Sequence, residues 1–372
     1  MEKAKVYFTD MRTGNRTSLP EKLRKLIRMA GIGDIDFDSR FAAIKIHFGE
    51  PGNLAFLRPN YAKVVADTVK ELGGYPFLTD CNTLYTGRRK NALEHMDSAA
   101  ENGYSYESTG CRIIIGDGLK GTDDVAVPVV GGELVKEAKI GRAVMDADVF
   151  ISLNHFKGHE CTGFGGALKN IGMGCGSRAG KMEQHNSGKP AVNEKKCRGC
   201  HVCAKECAHG AISFFEGKAH IDHDKCVGCG RCIGSCNFHA IHPTNDSAND
   251  DLCKKMAEYA KAVVDGRSCF HINIAADISP YCDCHGENDA PILPNLGIFA
   301  SFDPVAIDQA CADMCNAQKP LPNSILGDLA QFDPLKDDAF TATFPTTNWE
   351  VTLEHAEKLG IGTRQYELIR MK

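Results

Sequence analysis

Short apolar runs alternate with longer amphipathic stretches over the first part of the chain. "KVYF" (5–8), "AAIKIHF" (42–48), "RIIIG" (112–116) and "DVFISL" (148–153) are rich in β-branched or aromatic residues and bounded by polar or glycine-containing sequence, which predicts strands. Helical periodicity lies between the early ones. It is clearest over 59–73, where Tyr61, Val64, Val65, Thr68, Val69 and Leu72 share a face, Pro59 suits the first turn, and Gly73 and Gly74 end the element. Strands alternating with helices imply an α/β fold with a largely parallel sheet covered on both faces. The same character returns late in the chain: a helix-like stretch at 250–265, strand-like "CFHINIAAD" (269–277), then "GIFASFDPVAIDQACADMC" (297–315). In this last stretch Asp303 fits an N-cap and Pro304 the first helical position.

Residues 192–243 break the pattern. They are cysteine-rich and repeat themselves: "CRGCHVCAKEC" (197–207) returns as "CVGCGRCIGSC" (226–236). With similar α/β character on either side, the expected organisation is one α/β domain built from 1–191 and 244–372, with a module at 192–243 inserted into it. The 372-residue length is ample for this. A net charge of -5 gives no electrostatic case for nucleic acid. No segment approaches the length of an apolar membrane span, and the first residues do not read as a signal peptide, so a cytoplasmic location is expected.

Eighteen cysteines in such a chain point to metal or redox chemistry rather than disulfides, because cytosolic thiols are kept reduced. Each half of the repeat reads C-x2-C-x2-C-x3-C. An iron–sulfur cube needs four thiolates around one centre, and in the two-cluster pattern the fourth cysteine of each run serves the other cluster. That places Cys197, Cys200, Cys203 and Cys236 on one [4Fe-4S] cluster and Cys226, Cys229, Cys232 and Cys207 on a second. The stretch between Cys207 and Cys226 reads as a β-hairpin turning at Gly217. Four-cysteine zinc sites also use C-x2-C, but eight cysteines in this double run exceed the usual zinc spacing. Of the other ten, Cys111, Cys253, Cys269, Cys311 and Cys315 read as small buried hydrophobes. "YCDCHGEND" (281–289) crowds Cys282, Cys284, His285, Glu287 and Asp289 into one loop. It is a candidate metal or redox site, with Cys161 or Cys175 as further contributors.

The segment "NHFKGHECTGFGGALKNIGMG" (154–174) collects His155, His159, Cys161, Lys157 and Lys169 among glycines. It is not a P-loop: from Gly174 to Gly180–Lys181 there is one residue too many, and Met182 follows the lysine. "GCGSRA" (174–179) imitates a dinucleotide turn but does not directly follow a strand. The polar residues begin where a buried strand ends, which is where open α/β sheets bind ligands. Candidate catalytic residues are therefore His155, His159, Lys169 and His185, with Gly165, Gly166 and Lys169 against a cofactor.

The cysteine module resembles bacterial two-cluster ferredoxins. Nearly the whole chain resembles the family called domain of unknown function 362, through "TDCNTLYTGRR" (79–89), residues 154–174, the cysteine runs, "ISPYCDCH" (278–285) and "GIFASFDPVAIDQA" (297–310). More distantly, His159, the Gly-Gly-x-x-Lys of 165–169 and His185 resemble the segment of lactate racemase-type enzymes that holds a nickel-pincer nucleotide. That resemblance implies His159 handling a substrate proton or hydride, Lys169 carrying the cofactor and His185 ligating nickel. Asp80 with Arg88 or Arg89 is then placed to hold an anionic substrate.

Three functions follow as expectations. The first is a ferredoxin-coupled oxidoreductase, its two [4Fe-4S] clusters relaying electrons between a redox partner protein (a ferredoxin or a reductase) and a small-molecule substrate. The second is a nickel-pincer-type isomerase or racemase-like enzyme with a further metal or organic cofactor at Lys169. The third is a non-enzymatic electron carrier or cluster scaffold.

Overall fold

The computed structural model describes residues 3–14, 17–84, 87–185, 189–226, 232, 236, 238, 240–243, 247–329, 332–333 and 336–371. Its central sheet has eight strands: β1 (Ala4–Asp10), β2 (Phe41–Lys45), β3 (Tyr75–Thr79), β4 (Arg112–Ile113), β5 (Val149–His155), β6 (Ser268–Ala275), β7 (Gly297–Ser301) and β8 (Tyr366–Arg370). Their order in space is β8-β1-β7-β6-β5-β2-β3-β4. β7 is antiparallel to both its neighbours and the other pairs are parallel. This is the α/β class with a mostly parallel sheet that the apolar pattern implies. β7 reverses because the chain between β6 and β7 contains no crossover helix, and without one a strand returns from the edge where its predecessor ended. The run expected at 112–116 pairs with β3 only over its first two residues.

The pleat sorts side chains with period two. Val149, Ile151 and Leu153 of β5 join Ala42, Ile44, Leu78, Ile272, Ile274 and Ile298 in one apolar layer. That layer is closed by the helices Leu19–Met29 and Pro59–Glu71. Phe150, Ala43 and Phe299 face the opposite layer, beneath the helices Ala167–Cys175, Ser247–Val264 and Pro304–Asn316. Burial of each large side chain contributes roughly 1.5–3 kcal/mol. Pro59 opens its helix as expected, and the Asp303 side chain accepts from the N–H groups of Val305 and Ala306.

On the second layer the pattern changes near the carboxyl ends of the strands. Lys45, Ser152, Asn154, His271 and Asn273 share the parity of Ala43 and Phe150, yet all five are buried. A sheet face that turns polar inside the protein needs partners for those groups.

The cysteine-rich segment has its own small apolar cluster, formed by Cys197, Cys203, Ala219, Ala240 and Ile241. Residues Pro190–Val192 and Ile241–Pro243 pair antiparallel, so the chain enters and leaves this segment side by side. Between them lies the hairpin expected around Gly217. Ile212–Phe215 pairs with Lys218–Ile221, and Glu216 and Gly217 both have positive φ (48° and 73°), the conformation of a tight two-residue hairpin turn. No helix among the described residues is long and apolar enough to cross a membrane.

Candidate functional site

Because β2, β3, β5 and β6 are parallel, their carboxyl ends reach the same edge of the sheet. β2 ends at Lys45, β3 hands over to Asp80, β5 ends at His155, and the loop after β6 carries residues 282–285. Together with the helix Ala167–Cys175 these ends border a cavity that opens to solvent, with about 590 Å³ of empty space counted out into that opening. Its wall includes Lys45, His47, Asp80, Arg89, His155, Lys157, Gly165, Gly166, Lys169, Lys181, Cys282 and Cys284.

The polar patch on the sheet is satisfied by a chain of side-chain amides. Lys45 Nζ pairs with Asp80 (2.9 Å) and donates to Asn170 Oδ1 (2.7 Å). Asn170 Nδ2 donates to Asn154 Oδ1 (2.7 Å), Asn154 Nδ2 to Asn273 Oδ1 (2.8 Å), and Asn273 Nδ2 to Asp308 Oδ1 (2.8 Å). The Asp308 carboxylate also accepts the backbone N–H groups of Ala167 (2.7 Å) and Leu168 (2.9 Å). It thereby caps a helix whose own N-cap, Gly166, has no side chain to do so. Every donor points the same way along the chain, from one buried charge to another. A fully satisfied buried network of this kind rigidifies what it touches, and here it fixes the helix that carries Lys169. Burial pushes the Asp308 carboxyl up to about 6 despite these donors. Asp80 goes the other way: burial would raise it, but Lys45, His95 and His47 hold it well below the usual carboxylate range.

The sulfur groups of the cavity are organised by a tight turn. The His285 N–H donates to the Cys282 carbonyl (3.0 Å). Asp283 is pinned by the His155 Nδ1–H (2.9 Å) and by Lys157 Nζ (3.4 Å), and the His285 Nε2–H donates to Glu160 (2.8 Å). The two residues between and beyond them, Cys282 and Cys284, face the cavity. Lys169 Nζ donates to Cys282 Sγ at 3.2 Å. A hydrogen bond from the Cys284 thiol does most to hold the Cys282 thiol well below the ordinary cysteine range. Burial opposes this, while Lys169, Lys157 and His159 add to it. Cys284 is correspondingly pushed up by that same bond and by burial. The Cys282 thiolate, with Cys284 and Glu160, raises Lys169 above the usual ammonium range even though burial works against it.

The expected residues fall into distinct places. His155 ends β5 and has both ring nitrogens engaged, Nδ1 with Asp283 (2.9 Å) and Nε2 with the Ala276 carbonyl (2.8 Å), which makes it a brace. His159 closes a short ribbon (Lys157–His159 with Gly163–Gly165), where its Nδ1 accepts the N–H groups of Cys161 and Thr162, both at 3.1 Å. The neutral ring therefore carries its proton on Nε2, and burial, with Lys169 nearby, lowers its basicity. His185 ends the helix Arg178–His185, where burial depresses it to about 3, with His159 and Lys169 acting in the same direction. Gly165 and Gly166 line the cavity beside Lys169. Arg88 is the clear correction. Its side chain lies outward and pairs with Glu101 (2.5 Å), whereas its neighbour Arg89 is buried on the cavity wall with Glu50 (2.8 Å) and His47 (3.0 Å). Lys45, Lys181 and Asp308 escaped the sequence reading. Only the polar letters within otherwise apolar strand and helix patterns hinted at them. Cys175 lies against Cys81, whose Sγ contacts its carbonyl oxygen at 3.4 Å. Cys111, Cys253, Cys311 and Cys315 are buried and Cys269 is partly so.

A second cavity, with about 320 Å³ of empty space counting the part open to solvent, lies in the cysteine-rich segment. Cys197, Cys200, Cys203 and Cys236 line it together, with Phe214, Ala219, Phe238 and Ile241 among its apolar walls. Backbone N–H groups point at the sulfurs: Ala219 to Cys197 (3.5 Å), Ala240 to Cys236 (3.3 Å) and Ala211 to Cys207 (3.4 Å). Four soft donors, amide hydrogens aimed at sulfur and apolar walls suit a thiolate-held iron–sulfur group. Among the described residues, no three or more His, Cys, Asp or Glu side chains gather as they would around a single ion. In a cubane each thiolate binds a different iron, so its ligands stand farther apart than those of one ion. Of the second expected set, Cys207, Cys226 and Cys232 are described and Cys229 lies outside the described residues.

The family described as Domain of unknown function (DUF362) matches residues 42–313. Two solved structures are weakly similar to the chain. One is the lactate racemase apoprotein from Thermoanaerobacterium thermosaccharolyticum (TM-score 0.41, 12% identity, 74% of this chain and 51% of that one). The other is a protein from Thermotoga maritima (TM-score 0.43, 14% identity, 83% of this chain and 60% of that one). The alignments thus span about half and three fifths of those chains. No curated protein matches.

Proposed function

The chain belongs to the domain of unknown function 362 family, and from that premise, which assigns no reaction, we propose an iron–sulfur oxidoreductase. On this reading it holds two [4Fe-4S] clusters in the inserted ferredoxin-like module and carries out its chemistry in the strand-end cavity of the α/β domain. One observation carries the reading: Cys197, Cys200 and Cys203 share a cavity with Cys236, a cysteine of the second run. Such crossing of the two runs is characteristic of two-cluster ferredoxins. Bound clusters would supply single electrons, exchanged with an external ferredoxin or reductase.

The chain's own residues would do the rest. The backbone N–H groups of Ala219, Ala240 and Ala211 stabilise the ligating thiolates. In the α/β cavity, Lys45, Arg89, Lys157 and Lys181 favour a small anionic substrate. His159 donates from Nε2, and Cys282 presents a thiolate held by Lys169. The test is electron paramagnetic resonance of anaerobically purified protein reduced with dithionite. Signals of reduced cubanes are expected; a colourless protein with zinc in place of iron would contradict the reading.

A second reading, a racemase- or isomerase-like enzyme with a nickel-pincer-type cofactor on Lys169, is favoured by buried His185 lying close enough to His159 and Lys169 to feel the charge of both. Intact mass of the Lys169 peptide decides it: an unmodified mass in protein purified from its native host removes this reading.

A further inference from the structure

Cys282, the thiolate held by Lys169 in the strand-end cavity, has a neighbouring thiol in Cys284 and so far no reaction assigned to it. Cys282 and Cys284 occupy the first and third positions of a turn closed by the His285 N–H. The alternate residues, Asp283 and His285, are tied into the protein by His155, Lys157 and Glu160, and the Asp283 carbonyl accepts the Glu50 N–H (2.9 Å). The turn is therefore held from behind, while its two sulfurs share one cavity wall and one hydrogen bond. One sulfur accepts from a buried ammonium, Lys169 Nζ, at 3.2 Å. An attacking thiolate beside a protonated resolving thiol is the arrangement of a redox-active dithiol.

We infer that Cys282 and Cys284 form a reversible dithiol/disulfide couple that exchanges with a small anionic disulfide bound among Lys45, Arg89, Lys157 and Lys181. This deepens the oxidoreductase reading and rests on it for the source of electrons. In the oxidising half, Cys282 Sγ attacks one sulfur of the substrate disulfide, forming a mixed disulfide and releasing the first thiolate. Cys284 then loses its proton to a departing thiolate and attacks Cys282 Sγ. The intramolecular Sγ–Sγ bond forms and the second substrate sulfur leaves. In the reducing half, that bond would take up two electrons, which bound clusters would supply singly, and one proton from solvent. Cys282 is left as thiolate and Cys284 as thiol. The charge of the wall sets the substrate class: five cations line the cavity, Asp80, Glu50, Asp283 and the Cys282 thiolate pair with four of them, and Lys181, which donates to the Gly174 and Gly176 carbonyls, leaves the wall net positive.

The test exposes the anaerobic, iron-containing full chain to oxidised glutathione, an anionic disulfide, or to cystamine, a cationic one. Samples are quenched in acid, alkylated, and the 282–284 peptide is weighed. With oxidised glutathione both alkyl marks should disappear together and return on treatment with dithiothreitol. Cys284→Ser should trap glutathione on Cys282, and Cys282→Ser should leave Cys284 unmodified. Oxidation should be about tenfold faster with glutathione than with cystamine, the effect of opposite charge on encounter. Two thiols that stay alkylatable under oxidised glutathione, or equal rates with the two probes, would overturn the proposal. So would a stoichiometric metal lost from Cys282→Ser. Iron is counted in the same samples: a couple that forms in iron-free wild type sinks the cluster reading alone, while full iron without a couple sinks only this one.

Discussion

At the scale of single residues, the site depends on polar groups placed where apolar ones would ordinarily sit. Asn273 is the sharpest case. Its amide is the link between Asn154 and Asp308, with 2.8 Å bonds on both sides. Asn273→Asp would set a carboxylate against Asp308 in a dry interior, and two such groups cannot both ionise. The sign follows from Asp308. Its folded acid is raised to about 6 from 3.8, so between those values the folded state holds a proton that the unfolded chain has lost. Stability from this group therefore falls as pH rises through that window, and the penalty is complete above it. Asn273→Asp should cost about 3 kcal/mol at pH 7 and recover part of this at pH 5. Urea denaturation at the two pH values checks it; a loss independent of pH would show that the second carboxylate is not felt. The chain of residues itself was only partly legible. Asp80, His159 and Lys169 stand out in the sequence as chemistry. Lys45 and Asp308 sit inside strand and helix patterns and declare themselves only once the sheet brings their partners together. Arg88 and Arg89 are indistinguishable as letters. Glu101 draws the first outward and Glu50 holds the second in the cavity.

At the scale of elements, the decisive one is the helix Ala167–Cys175. The glycines before it leave room for close approach rather than for a phosphate. A Cβ on Gly166 would stand 2.2 Å from Asp308 Oδ1, the atom that caps the helix. A Cβ on Gly158 would meet the Pro280 carbonyl at 2.6 Å, where the short ribbon touches the cysteine loop. Gly166→Ala should therefore destabilise by about 2 kcal/mol through overpacking and a disturbed cap. In an Asp308→Ala background the same change should cost at least about 1 kcal/mol less, because the clashing atom is gone. A thermal double-mutant cycle reads this out, and strict additivity would disprove the clash. The sequence pattern located the strand here, since a buried run followed by clustered polar residues marks a strand end. It could not reveal a helix over 167–175, because glycines weaken the helical pattern. The cap for that helix comes from a residue far along the chain.

At the scale of the whole molecule, two patterns are superimposed. The alternation of apolar runs and amphipathic helices was enough to imply the mostly parallel sheet. It did not show the reversal of β7, which depends on a connection without a helix. The edge strand β8, none of whose residues is fully buried, was likewise missed. The cysteine spacing carries the cluster proposal, because four ligands to one centre would constrain spacing more tightly than packing constrains apolar residues. The antiparallel pairing of Pro190–Val192 with Ile241–Pro243 supports a module set into the larger domain, entering and leaving at one point. The central claim is that the two cysteine runs cross to hold two clusters, and counting iron and acid-labile sulfide in anaerobically purified wild type and Cys236→Ser tests it most directly. The account predicts about eight of each per wild-type chain and about four in the variant, with one cluster remaining. Zinc in place of iron in the wild type, or iron content unchanged by Cys236→Ser, would contradict it.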